Sequence, residues 1–403
     1  MSIFEGFLST SETLAAFSDT NFVGAMLRFE AALARAQAAE GLIPEAVAQT
    51  IVGSCKVELF DVTEIVRESG RAGSVAIPLV KALREAVGLI DEEATRFVHF
   101  GSTSQDVIDT AMSLVTREAI VLVEADLVKA ADALLKLAAL HATTPMLART
   151  LMQPASVTSF GFKCAGWAAP LVRSRLRLQG AARHALQVQL GGPVGTLAQM
   201  HGQGASVRRR MANELALGDP GATWHTQRDE WVALGCELAL MTGSLGKVAG
   251  DIALLGQHEV GEVAEPNEPG RGGSSAMPHK RNPVASMVAI AAAHHAPQRV
   301  AALLAAMPQQ HERALGAWQA ELAEWPQLVM SAHGSVRAMA NALPGLQVDA
   351  ARMHSNIDRL RAELPQDVAD EWFSVDLADD AGVIALAEVD ALKARLSSKE
   401  ISQ

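Results

Sequence analysis

The chain of 403 residues has no tyrosine and only three cysteines. Cys55, Cys164 and Cys236 lie far apart without CxxC spacing, so we predict neither a disulfide framework nor a zinc site, and a reducing cytoplasm fits best. The first residues show no basic segment followed by an apolar core, and no uninterrupted apolar run of about 18 residues occurs. We therefore expect a soluble cytoplasmic protein without a membrane span.

Positive charge is scarce, with 34 Lys and Arg against 45 Asp and Glu and a net charge of −11. This balance argues against binding to nucleic acid or to an anionic membrane, because both need concentrated cations. An anionic substrate would have to meet a few cations placed locally in motifs. Hydrophobic residues make up 49% and charged residues 20%, which predicts a folded chain with a substantial core and two or three domains.

Strand signals are weak, because few β-branched residues alternate with polar ones and no Asn-Gly turn occurs. Apolar residues instead recur at three- and four-residue steps over 108–141, 158–189, 226–260 and 283–307. We predict an all-α fold around a bundle of these long helices. Their wide apolar stripes indicate burial against neighbouring subunits, so we expect a homo-oligomer.

The flanking segments predict two smaller helical units. Residues 1–107 contain a helical pattern at 12–41 and further helical pieces within 44–88, which indicates an N-terminal helical domain. Residues 108–344 form the predicted central bundle, with a polar glycine-containing loop near 267–283. Residues 345–403 are acidic and less periodic, and we interpret them as a short C-terminal helical appendage.

Two polar segments flank the first long helix. In 99–106, Thr103 and Ser104 at a helix N-terminus are typical of an anion receptor, although a capping box from Ser102 to Gln105 is the alternative. In 146–155, the group Arg149, Thr150 and Gln153 offers a guanidinium that can clamp a carboxylate, while an ordinary interhelix turn is the alternative.

Two further segments lie at ends of later helices. In 221–229, His225 is a candidate acid or base beside Gln227, with a structural hydrogen bond as the alternative. In 272–283, Ser274 and Lys280 follow flexible glycines. A serine hydroxyl is a poor base in water, but a lysine and loop amides stabilise its oxyanion once solvent is excluded. A flexible linker and a phosphate loop are the alternatives, although the GxxxxGK[ST] pattern is absent.

Taken together, these segments resemble the fumarase/aspartase superfamily over residues 5–345. Its loop pattern GSSxMPxKxNP is matched at 273–283, and GSTSQD at 101–106, RTxxQ at 149–153 and TQRD at 226–229 follow in the family's order. The elements WHTQRD at 224–229 and GEVAEP at 261–266 are most similar to the branch that lactonizes 3-carboxy-cis,cis-muconate in aromatic catabolism. Adenylosuccinate lyases share the loop core.

The resemblance implies a homotetramer without metal or organic cofactor, with active sites assembled from segments of three subunits around a small polycarboxylate. Ser274 would move the proton, with Ser275 as the alternative donor. Lys280 and Asn282 would hold a substrate carboxylate and stabilise the enolate-like intermediate. The residues that would line the site are Thr103, Ser104, Arg149, Thr150, Leu151, Gln153, Gln227, Ser275 and Met277.

Leu151 departs from the superfamily pattern, because members that expel an amine or hydroxyl usually carry His there. A carboxylate, with a pKa of about 4, leaves without protonation, so lactone chemistry does not need that acid. We therefore expect a cycloisomerase acting on 3-carboxymuconate or 3-sulfomuconate. Adenylosuccinate-type elimination would need His99, His141 or His225 as a substitute acid, and a non-catalytic structural homologue is the third hypothesis.

Overall fold

The computed structural model describes residues 6–268, 270–274 and 276–397, so Ser275 lies outside the described residues. Within them, fourteen α-helices and two small antiparallel sheets confirm the all-α fold. The helices are α1 (Ser11–Ala16), α2 (Asp19–Ala39), α3 (Glu45–Ser54), α4 (Val62–Ala72), α5 (Ala76–Gly88), α6 (Ser104–Leu140), α7 (Phe160–Ala185), α8 (Gly204–Leu215), α9 (Asp229–Leu255), α10 (Val284–Ala306), α11 (Ala317–Ala342), α12 (Ala350–Arg361), α13 (Gln366–Trp372) and α14 (Leu377–Ser397). The strands are β1 (Pro145–Thr150), β2 (Gln153–Ser159), β3 (Val263–Ala264) and β4 (Gln347–Val348).

Five long helices, α6, α7, α9, α10 and α11, pack side by side as the central bundle. The four predicted helices are present, each slightly displaced or shortened; α6, for example, begins at Ser104 rather than at 108. We did not predict α11, whose interior contains Pro326, a residue that normally indicates a break. The bundle is tightly packed: a Cβ on Gly246 of α9 would lie 2.4 Å from the Cβ of Ala293 on α10.

The bundle has two ends with different contents. The starts of α6, α9 and α11 meet the ends of α7 and α10 at one end, which we call the network end. The ends of α6, α9 and α11 meet the starts of α7 and α10 at the other, which we call the loop end. Because α9 has 27 residues, the two ends are about 40 Å apart at 1.5 Å per residue.

A β-hairpin takes the place of the plain interhelix turn that was the alternative at 146–155. Strands β1 and β2 pair antiparallel, with Thr150 opposite Gln153 and a register irregularity between Ala148 and Arg149. The two turn residues, Leu151 and Met152, have φ values of 50° and 66°. Such turns normally use Asn or Gly, so the sequence carried no hairpin signal.

The predicted terminal units join the same core. Helix α2 packs on α6 and α8, and α14 packs along α6 and α7. One continuous cluster of buried apolar residues includes members of α2, the bundle and α14. The boundary predicted at 107 falls inside α6, so this helix belongs to both sides of it.

Helix α9 is long and apolar enough to cross a membrane by length and composition, the one such helix in the described part of the chain. It packs against α7, α10 and α11 and has Arg228 buried directly before its first turn. These contacts are those of a core helix in a bundle. The three cysteines are free thiols.

Candidate active site

At the network end, a buried aspartate binds two backbone segments and one histidine side chain. The Asp106 carboxylate accepts hydrogen bonds from the amides of Thr103 (3.0 Å), Gly191 (2.9 Å) and Gly192 (2.9 Å), and Nε2 of His225 lies 2.7 Å from it. Thr103 immediately precedes α6, so the capping pair is Thr103 with Asp106 rather than the predicted Ser102 with Gln105. His225 is 2% exposed, which favours the structural alternative for this residue.

A second buried group lies one turn further along α6. Arg228 donates to Asp109 (2.9 Å) and to Glu321 (3.1 Å), and Trp318 donates its indole N–H to Asp109 (2.9 Å). Burial raises the pKa of Glu321, and Arg228 offsets this only in part. Burial also disfavours the charge on Arg228, but the two carboxylates outweigh it and raise the pKa of the guanidinium. Two acidic groups therefore share one cation.

Arg313 is a cation at the network end that we did not predict. It donates to the hydroxyl oxygens of Thr103 (2.5 Å) and Ser104 (3.0 Å) from the segment between α10 and α11. The hydroxyl of Ser102, the residue before Thr103, is buried without a partner among the described residues. A cation, hydroxyls and a helix N-terminus together form an anion receptor. The available sequence signal was the polar run at 309–313 between two apolar helices.

At the loop end, the predicted catalytic loop has a closed neck. The Asn282 amide donates to the Gly272 carbonyl (2.8 Å), and Gly273 forms a bridge with Arg281. Gly272 has φ of 71°, and a Cβ there would lie 2.6 Å from the Asn282 carbonyl oxygen. Only glycine fits this close approach.

The loop is also anchored where α10 begins. The Glu265 carboxylate accepts from the amides of Ala285 (2.9 Å) and Ser286 (2.7 Å), so it caps the helix that follows the loop. This is a favourable place for a negative charge. Glu265, which precedes the loop, is thereby bound to the start of α10, which follows the loop.

Ser274 is half-buried within this loop, and its Oγ accepts from the amides of Met277 (3.1 Å) and, more weakly, Ala276 (3.4 Å). Amides that donate to the oxygen favour negative charge on it. Lys280 is exposed, with no side-chain partner among the described residues. A cavity of about 520 Å³ adjoins the neck, and its polar lining includes Gln257, His258, Arg271, Arg281, Asn282 and Gln347.

The hairpin tip projects from the loop end. Leu151 is 96% exposed and Met152 is 69% exposed, and the adjoining Thr150 and Gln153 are exposed as well. Arg149 is different, because its guanidinium forms two hydrogen bonds with the Glu262 carboxylate, at 2.7 and 3.0 Å. The carboxylate clamp predicted for Arg149 is thus made with a carboxylate of the protein itself.

Within one chain, two of the three histidines considered as substitute acids lie at the opposite end of the bundle from this tip, and His141 lies where α6 ends. His225 is in the network end, and Nδ1 of His99 lies 2.6 Å from Glu30. Burial lowers the pKa of His99, but the Glu30 charge and hydrogen bond outweigh it and raise that pKa. His141 lies 3.1 Å from the Thr144 hydroxyl, and burial lowers its pKa.

One protomer does not bring all the candidate residues together. Thr103, Ser104 and Gln227 lie at the network end, and the hairpin and loop residues lie at the loop end, about 40 Å away along α9. No side chain spans that distance. The candidate site therefore consists of two half-sites in each chain.

A long-helix bundle with these two half-sites defines a class of lyase, and a family model described as lyase matches residues 8–296. The chain belongs to this family, which confirms the resemblance to the fumarase/aspartase superfamily. It is 47% identical over 351 residues to 3-carboxy-cis,cis-muconate cycloisomerase of Bradyrhizobium diazoefficiens, covering 87% of this chain and 78% of that protein. It is 42% identical to nitrosuccinate lyase of Streptomyces davaonensis, covering 85% and 74%. The crystal structure of 3-carboxy-cis,cis-muconate lactonizing enzyme from Pseudomonas putida matches with a TM-score of 0.89 and 35% identity, covering 98% and 100%.

Proposed function

We propose that this chain is a 3-carboxy-cis,cis-muconate cycloisomerase, an intramolecular lyase that closes a lactone. The observation that carries the proposal is the exposed hairpin tip at Leu151 and Met152, which offers no titratable side chain at the end of the bundle that also bears the serine loop. Relatives with this activity at 47% and 45% identity support it. The reaction converts one small polycarboxylate into another.

In the forward direction, a carboxylate oxygen of the substrate attacks the conjugated alkene and forms the C–O bond of the lactone. The electron pair moves onto the neighbouring carboxylate as an enolate, which Lys280 and Asn282 stabilise. The Ser274 hydroxyl then gives its proton to the adjacent carbon, and the loop amides hold the resulting oxyanion until it is reprotonated. Ser275 is the alternative donor.

The reverse reaction explains why the tip needs no acid. Breaking the lactone C–O bond releases a carboxylate, a weak base that departs as an anion. An amine or hydroxide would need a proton donor near the position of Leu151. We propose that Thr150, Leu151, Gln153 and Met277 shape the substrate pocket without transferring protons.

We also propose a homotetramer in the cytoplasm, where free thiols persist. Completing one site requires the network end of one chain to approach the loop end of another. There Thr103, Ser104 and Gln227, joined by Arg313, would bind a substrate carboxylate. Support comes from large apolar side chains that the bundle helices expose, namely Leu240, Leu254, Met287 and Leu304. Such faces are typical of subunit interfaces.

The test is an absorbance assay with purified protein and 3-carboxy-cis,cis-muconate, with 3-sulfomuconate alongside. We expect loss of the muconate absorbance with the carboxy substrate. Adenylosuccinate and nitrosuccinate serve as the elimination alternatives, and the latter is included because nitrite also departs without protonation and a relative has that activity. Turnover of nitrosuccinate without turnover of either muconate would overturn the proposal in favour of a nitrosuccinate lyase.

A further inference from the structure

The Arg149–Glu262 pair joins two parts of the loop end that are far apart in sequence. Arg149 Nη2 lies 2.7 Å from Oε1 of Glu262 and Nη1 lies 3.0 Å from Oε2, a bidentate geometry. Nη1 also donates to the Leu147 carbonyl (3.2 Å), which fixes the guanidinium on its own strand. Three of the five guanidinium N–H groups of Arg149 therefore have protein acceptors.

Glu262 cannot release this arginine without loss. Its side chain is fully buried, and its other partner is the neutral amide of Asn356, at 2.8 Å. If Arg149 turned toward a substrate carboxylate, a buried negative charge would be left without a cation, and that is strongly unfavourable. Releasing Arg149 from Glu262 is therefore unfavourable, which favours a structural role for this arginine.

The pair lies close in sequence to both the hairpin tip and the serine loop. Arg149 is two residues before Leu151 at the hairpin tip. Glu262 is three residues before Glu265, the carboxylate that caps α10 beyond the loop. The backbone of Glu262 is fixed as well, because its amide donates to the Leu255 carbonyl (2.9 Å) and its carbonyl accepts from Asp349 (3.0 Å).

The C-terminal segment also contacts Glu262. Asn356 on α12 donates to Glu262 and to the Val260 carbonyl (3.0 Å), and Arg352 donates to the same carbonyl (3.1 Å). Strand β4 pairs with β3 directly after Glu262. The segment predicted to be an appendage therefore supports the start of the catalytic loop.

From this geometry we infer that Arg149 and Glu262 are positioning residues, which hold the hairpin tip and the serine loop in one fixed relation and do not bind substrate. The inference rests on the proposed function, because the tip and loop must form parts of active sites. It reassigns Arg149 from the pocket lining to the framework beneath it. Asn356 acts with the pair by orienting the Glu262 carboxylate.

The test compares Arg149→Gln, Glu262→Gln and the double variant in the full-length oligomer. If the pair positions the loop, each single variant lowers kcat about 10- to 100-fold, because small displacements of reacting groups are costly, and KM stays within about threefold. The double variant should resemble the singles rather than combine their effects, because both residues act through one interaction. Arg67→Gln, at an exposed ion pair in α4, is the matched control and should change neither constant.

A substrate-binding role for Arg149 predicts a different pattern. If Arg149 binds substrate, Arg149→Gln raises KM more than tenfold, whereas Glu262→Gln frees the arginine and leaves KM unchanged or lower. That pattern overturns the inference. Should a single variant fail to fold, the double variant leaves no buried unpaired charge, and its kcat and KM give the same decision.

A second measurement needs no substrate. Trypsin cleaves after Lys280 and Arg281, which are both exposed in the loop. Breaking the pair should accelerate cleavage there, by at least about threefold in Arg149→Gln and Glu262→Gln alike. Unchanged cleavage in both variants contradicts the inference. An inactive wild-type protein with accelerated cleavage in the variants would overturn the proposed function alone.

Discussion

The two ends of the bundle differ in how they treat polar groups. At the network end, Asp106, Asp109, Arg228 and Glu321 are buried and bound to one another or to backbone amides. At the loop end, Lys280 and the hairpin tip face solvent, and the fixed contacts lie beneath them. The buried groups of the first end form a fixed framework, whereas the second end exposes Lys280 and the hairpin tip to solvent.

The buried groups that stabilise the fold are therefore separate from the exposed groups that we propose to act on the substrate. Buried ionic groups are costly to disturb because a remaining partner is left without compensation. Exposed groups on a loop contribute little to the fold, and they are free to act on a ligand. Substitutions in the buried ionic group of the network end should therefore change unfolding, and substitutions of the exposed loop residues should change turnover.

The largest expected effect is from Arg228→Met at the network end. The variant keeps the length of the side chain but leaves Asp109 and Glu321 without a cation, which costs about 3–5 kcal/mol. Urea unfolding followed by circular dichroism measures this loss. Arg313→Met is the matched control, because Arg313 is only half-buried and contacts hydroxyls, and it should cost less than about 1 kcal/mol. Equal losses of unfolding free energy in the two variants would show that the buried ionic group stabilises the fold no more than the Arg313 contacts do.

Ser274→Ala tests the loop end. Removing the proposed proton donor should lower kcat about 10²- to 10⁴-fold, because that is the usual contribution of general acid–base catalysis. The free energy of unfolding should change by less than about 0.5 kcal/mol, since only two amides contact the hydroxyl. Steady-state assays and urea unfolding of the same preparations give both values. Near-normal turnover would exclude Ser274 as the donor and favour Ser275.

Glu321→Gln tests how the stability of the network end depends on pH. Burial raises the pKa of Glu321 above its ordinary value of 4.5. A raised carboxyl pKa means that its contribution to stability is complete below the unfolded value and is lost as pH rises through the folded one. Glutamine does not titrate, so the variant should gain stability relative to wild type when the pH is raised from about 5 to about 8. If the difference in unfolding free energy between the variant and wild type is the same at both pH values, this expectation is wrong.

The parts of this protein that the sequence predicted share one property: their signals are local. Helical periodicity located four bundle helices, and the residues of the loop are contiguous at 272–283. The hairpin was missed because two apolar residues adopt left-handed turn conformations, which no propensity favours.

The pairing of distant residues was also out of reach. Arg149 meets Glu262, and Arg313 meets Thr103, through tertiary packing that joins positions more than a hundred residues apart. One sequence read alone offers no signal for such pairs. They decide whether a given cation is available to a ligand, so the motifs identified the candidate groups but not their partners.

The smallest expected effect is from Leu151→Ala at the hairpin tip. The side chain is 96% exposed, so the free energy of unfolding should change by less than about 0.5 kcal/mol. Leucine donates no proton, so we expect kcat to stay within about threefold while KM rises up to about tenfold through lost apolar contact. Met152→Ala, at the neighbouring turn position, is the control for a general disturbance of the hairpin. A fall in kcat of more than about 100-fold in Leu151→Ala alone would show that the tip takes part in the chemical step, and the contrast between a proton-moving loop and a passive tip would fail.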